Sequence, residues 1–161
     1  MTESDKEVRR DLLDHIGKIA SILSKVSSEL DKRAMCHDAS KFEEPELTIF
    51  NKYTPLLKTT PFGSDEYKEQ LKGMGVGLAH HYQENRHHTQ HHTAGALDMT
   101  LIDLLEMLAD WKAASLRSKD GTMEGSIAYC VKEYKIPTDI ARLLRNTAHA
   151  LGLMEEGMPE W

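Results

Sequence analysis

Little in this chain can brace it covalently or carry it across a membrane. Its 161 residues include only two cysteines, Cys36 and Cys130, so no disulfide framework is implied and no Cys-x-x-Cys zinc site exists. The apolar runs are far too short to span a bilayer. Met1 to Asp11 lacks the apolar centre of a signal peptide, and a reducing, cytoplasmic setting is expected. Alternating strand patterns are missing. A basic excess is missing too: 26 acids face 20 bases for a net charge of −6, which argues against general nucleic-acid binding. A small phosphorylated substrate held by a few local cations stays open. Histidine, by contrast, is plentiful. There are nine, and six of them fall between His80 and His92.

What fills the chain is helical periodicity. Val8, Leu12, His15, Ile16, Ile19, Leu23, Val26 and Leu30 recur at three- and four-residue steps, which predicts a long amphipathic helix over 5–31 with His15 on its apolar stripe. Residues 32–41 read as a short helix or turn. Pro45 opens another helix, and 54–63, with two prolines and a glycine, reads as a loop. Ser64 caps a helix with an acidic first turn, Asp65-Glu66, which runs to His80-His81. Glycines 73, 75 and 77 weaken it and suit close packing against a neighbour. Thr100-Leu-Ile-Asp103 has the form of a capping box and opens a helix to Leu116. Lys119-Asp120-Gly121 is a turn, and two helices follow at about 124–134 and 138–151, the second ended by Gly152. The length suits one domain, 1–161, an all-α bundle of six or seven helices.

The chemistry gathers on a few side chains. His37 and Asp38 are adjacent, and an imidazole beside a carboxylate suits a divalent metal. His15, His80, His81 and Asp110 are the further candidate ligands. Asp110 sits among Met107, Leu108, Ala109, Trp111, Ala113 and Ala114, company in which a carboxylate is costly unless paired or bound to metal. Asp103, Glu106 and Asp110 share one helical face. Asp103 is explained by the Thr100 cap, and Glu106 suits the orientation of a histidine. If the helix continues past His81, then His81, Asn85, His88 and His92 fall on one face and His80, Glu84, His87 and His91 on the next, with 87–92 at the rim. Lys41 adds a charge suited to phosphate oxygen. Arg33, one turn before His37, and Arg117 complement it, and Asn85 and His88 complete the expected substrate contacts.

His15, His37-Asp38 with Lys41, and Asp110 resemble the H…HD…D pattern of the HD phosphohydrolase superfamily, which is all-helical. His80-His81 followed by Asp110-Trp-Lys-Ala-Ala-Ser-Leu-Arg117 resembles the paired histidines and final aspartate helix of its binuclear members. The segments His37-Asp-x-Ser-Lys-Phe-x-x-Pro-Glu46, His80-His-Tyr-x-x-Asn-x-His-His88 and Met99-x-Leu-x-Asp-Leu-x-Glu-Met-x-x-Asp-Trp111 are similar to a small HD-like family of bacteria and phages. The resemblance implies a metal-dependent phosphohydrolase acting on a nucleotide or other small phosphate ester. It implies one or two ions (Mn, Fe, Co, Zn or Mg), with His15, His37, Asp38 and Asp110 holding the first and His80 and His81 completing a second. Asp38 and Lys41 are then the catalytic residues. Two departures keep substrates from transferring: the glycine-tyrosine-proline segment of the cyclic-dinucleotide enzymes is absent, and Lys41 stands where mononuclear nucleotidases carry a catalytic glutamate. Alternatives are a di-iron oxygenase on the same scaffold and an inactive helical metal-binding interaction module. The expected partner is the small substrate, with room for a homodimer and no membrane.

Overall fold

The computed structural model describes residues 2–61, 63–117 and 121–155. Among them are six α-helices and no strand: α1 (Glu3–Cys36), α2 (Glu46–Thr59), α3 (Asp65–Glu84), α4 (Leu101–Ser115), α5 (Met123–Glu133) and α6 (Thr138–Ala150). Short 3₁₀ turns lie at Ala39–Phe42, Thr89–His91 and Gly95–Asp98. The all-α class read from the periodicity is the class observed. No helix among the described residues is long and apolar enough to cross a membrane. By its internal contacts the chain divides into two units, one up to Cys36 and one from His37 onward.

The first unit is α1 itself, 34 residues with Glu3 and Asp5 in its first turn and Arg33 in its last, charges that suit the helix dipole at each end. His15 sits midway along it. Arg33 Nε lies 3.3 Å from Glu29 Oε1 one turn back.

In the second unit, α4, α5 and α6 close around Leu104, Met107, Leu108, Trp111, Met123, Ile127, Cys130, Leu144 and Ala148. The caps form as their sequences require. Thr100 and Asp103 make the reciprocal capping box of α4, Ser64 accepts from the Tyr67 N–H, and Gly152 takes φ +64° past α6, the left-handed conformation that ends helices. The turn expected at 119–121 lies mostly outside the described residues.

α2 and α3 form the second layer. The loop expected over 54–63 is in fact helical to Thr59, through Pro55. A proline inside a helix removes one backbone donor. Here α2 is held against α3 by Ile49 and Tyr53, which meet Gly77 and Gly73. A Cβ on Gly77 would fall 2.8 Å from the Ile49 side chain, and one on Gly73 2.5 Å from the Tyr53 hydroxyl. Gly75, between them, takes φ 44°, ψ −114° and kinks α3, a conformation open to residues without a Cβ. Beyond the kink, Gly77 and then His81 are buried.

Candidate metal centre

The site is assembled where the turn after Cys36, the end of α3, the segment behind it and the middle of α4 meet. Asp38 has φ 57°, ψ 20°, the left-handed region that aspartate tolerates better than most residues. α3 ends at Glu84, with Asn85 extended. The chain then turns through His87 and His88 into the 3₁₀ turn at Thr89–His91. On α4, Glu106 and Asp110 are one turn apart and share a side.

Three groupings bring potential ligand atoms within 4.8 Å of one another: Asp38, His81, His87 and His88; His37, Asp38 and Asp110; and His37, His87 and Glu106. Asp38 belongs to two of them, and its oxygens divide between them. Oδ1 lies 3.4 Å from His81 Nε2 and 3.5 Å from His87 Nε2. Oδ2 lies 3.5 Å from His37 Nε2 and accepts from Lys41 Nζ at 2.5 Å. His37 Nε2 is 3.7 Å from Asp110 Oδ1, and the Nε2 atoms of His81 and His88 are 2.8 Å apart.

Two glutamates stand behind the histidines. Glu106 Oε1 lies 3.0 Å from His37 Nδ1 and 3.2 Å from His87 Nδ1. Glu46, fully buried, reaches His80 Nδ1 at 2.7 Å and His81 Nδ1 at 2.8 Å. A carboxylate that takes the Nδ1–H of an imidazole leaves the Nε2 lone pair free to bind a metal. His37, His81 and His87 each meet a carboxylate at Nδ1.

The electrostatics divide the site into charged and neutral groups. Burial opposes the charge on Asp38, yet Lys41 holds its carboxyl below the ordinary range. Burial likewise opposes Asp110, and His37 outweighs it. Hydrogen bonding to Asp110 and then Glu106 pushes His37 up to about 10, against its burial, so a proton there competes with a metal for the same place. Burial lowers His81, with Lys41 adding to it. Burial, with His87 and His81 beside it, drives His88 down to about 3. Both are therefore neutral imidazoles, the form that coordinates. Two atoms pointed into the site, Asp38 Oδ1 and His87 Nε2, are buried without any hydrogen-bond partner. Such atoms are few in native proteins, and a missing ion is one standard cause. The residues present fit a divalent metal.

The expected site residues are distributed as follows. His37, Asp38, His81 and Asp110 lie in the groupings. His80 does not; its Nδ1 faces Glu46, and its side chain is one-third exposed. His15 and Arg33 are on α1, whereas every grouping is built from the second unit. Lys41 reaches Asp38 and lies 4.8 Å over the Phe50 ring. Asn85 donates to Ser40 Oγ at 2.7 Å and to the His81 carbonyl at 2.8 Å. Arg117, just past α4, is exposed. His88 lies within a grouping of ligands. His87, expected at the rim, is 1% exposed, while His91 and His92 are engaged with the backbone carbonyls of Tyr82 and Arg86. The continuous-helix reading of 80–92 fails because α3 stops at Glu84. Glu46 closes one of the segments that resemble the HD-like family, but no local pattern marks it as a partner of histidines.

Among curated proteins and among solved structures, nothing matches this chain. Its sequence does match a family of unknown function, DUF5662, over residues 4–150, nearly its whole length, and the chain belongs to that family.

Proposed function

We propose that this chain is a metal-dependent phosphohydrolase of the HD type, acting on a nucleotide or another small phosphate ester. The observation that carries the reading is the convergence of His37, His81, His87 and His88 with Asp38 and Asp110, with buried unpartnered atoms at its centre. These six residues would hold the metal. A divalent ion bound there polarises a phosphoryl oxygen and lowers the pKa of water toward neutrality.

The chain's own groups do the rest. Asp38 presents one oxygen to His81 and His87 and the other to His37, so a single carboxylate serves both groupings, an arrangement that suits one ion or two. Lys41 rests on Asp38. From there its ammonium would reach a phosphate oxygen and offset charge developing in the transition state. Arg117 would be a further cation for the same phosphate.

Elemental analysis of the purified protein, then a screen of nucleotides and generic phosphodiesters with Mn, Co, Fe and Mg, tests the reading. Bound metal with turnover of at least one phosphate ester is expected. A metal-replete protein that turns over none of them ends the hydrolase reading. Oxygen-dependent absorbance changes in the iron-loaded protein would put the oxygenase in its place.

A further inference from the structure

We propose that Glu46 is a positioning residue that fixes the tautomer of His81 for metal binding, and that His80 is its second donor and not a ligand. This rests on the metal-centre reading, though not on the identity of the reaction.

Glu46 is 0% exposed, and an isolated carboxylate there would be severely destabilising. It is held instead by two imidazoles from consecutive positions of α3. His80 Nδ1 lies 2.7 Å from Oε1 and His81 Nδ1 2.8 Å from Oε2. Asn85, one turn after His81, donates to Ser40 Oγ at 2.7 Å. An ionised carboxylate only accepts, so each histidine gives it the Nδ1–H; Asn85 Nδ2, 3.1 Å from the same His81 nitrogen, has its acceptors in Ser40 Oγ and the His81 carbonyl. For His81 the consequence is a lone pair on Nε2, 3.4 Å from Asp38 Oδ1. His80 is in none of the ligand groupings among the described residues; its ring occupies the other oxygen and keeps Glu46 from rotating away from His81. Adjacent histidines of the same type thus carry different duties, set by which side of Glu46 they approach.

Co²⁺ affinity by chelator competition is the first readout. Glu46→Gln presents an amide N–H to one imidazole and should weaken Co²⁺ binding by about 10- to 100-fold. His81→Ala should weaken it at least as much. His80→Gln keeps a donor for Glu46 and should retain affinity to within about threefold, whereas a ligand at that position would make the loss comparable to that of His81→Ala. The second readout needs no variant. Long-range ¹⁵N–¹H correlation on metal-free wild type should show His80 and His81 as Nδ1–H tautomers. An Nε2–H tautomer at His81, or His80→Gln matching His81→Ala, overturns the proposal. Unchanged Co²⁺ affinity in folded Glu46→Gln does the same. A protein that passes these tests yet hydrolyses no phosphate ester separates failure of the proposed reaction from failure of this inference.

Discussion

Two buried acidic sites sit less than one turn apart at the start of α4, and they differ in what is left over. Asp103 is 0% exposed, and the protein itself closes around it. Its Oδ2 accepts from the Thr100 N–H at 2.9 Å, the Thr100 hydroxyl at 2.8 Å and Arg86 Nη2 at 3.0 Å. Three residues on, Glu106 belongs to a cluster that ends in two buried atoms with no partner, Asp38 Oδ1 and His87 Nε2. Burial and acidity are common to both. A donor for every oxygen marks a carboxylate that serves the fold; converging acceptors and lone pairs mark one that could hold a cation.

The strongest way to break that contrast is at Asp38. Asp38→Asn keeps the volume, and asparagine tolerates the left-handed backbone that this position adopts. It removes the charge shared by two ligand groupings. Loss of nearly all bound metal and of phosphohydrolase activity is expected, with the helical circular dichroism intact. Added metal should also stop protecting the variant from thermal unfolding. Wild type, at a ligand concentration about a hundredfold above Kd, should gain roughly 2.7 kcal/mol. A variant that still binds metal at full stoichiometry would put Asp38 outside the centre.

Lys41→Ala is next in size and separates the metal from the phosphate. The lysine touches Asp38 but is no ligand, so metal content should hold while kcat falls by about a hundredfold or more, the scale of one lost transition-state donor. Equal turnover in the variant would make Lys41 a counterion to Asp38 and nothing more.

How far the sequence carried these sites follows from what each depends on. The Thr100–Asp103 box and the Ser64 cap are local, three residues from donor to acceptor, and are legible from spacing. The core face of α4 is periodic and equally legible. His37-Asp38 and Asp110 stood out by composition: an adjacent ligand pair, and an acid among apolar residues. Glu46 is different, since its role depends on a contact 34 residues away with His80, and no local pattern encodes that. His87 and His88 were misplaced because the helical face was extended past Glu84. The break comes at Asn85, whose side chain turns back on the His81 carbonyl, a tertiary arrangement shared with Ser40. Pro55 signals a break, and the packing of α2 against Gly73 and Gly77 overrides it.

The smallest effect belongs to Asp103, and it sharpens the contrast from the other side. Asp103→Asn should cost about 1–2 kcal/mol, the scale of a capping bond plus a charged hydrogen bond, discounted because the Arg86 side chain is 45% exposed and its ion pair is screened. Metal content should not change. The pH dependence has a definite sign. Burial opposes the charge, but the Thr100 N–H, Arg86 and the Thr100 hydroxyl outweigh it and hold the carboxyl at about 2, below its ordinary 3.8. A depressed carboxyl contributes stability that is fully present above the unfolded value and is lost as pH falls through the folded one. The stability gap between wild type and Asp103→Asn should therefore be widest above about pH 4–5 and close between about 4 and 2, as read by urea melts on both proteins across that range. A gap that stays constant on acidification would mean that the asparagine loses shape and not charge. Loss of metal in the folded variant would move Asp103 from the fold to the centre and erase the distinction between the two sites.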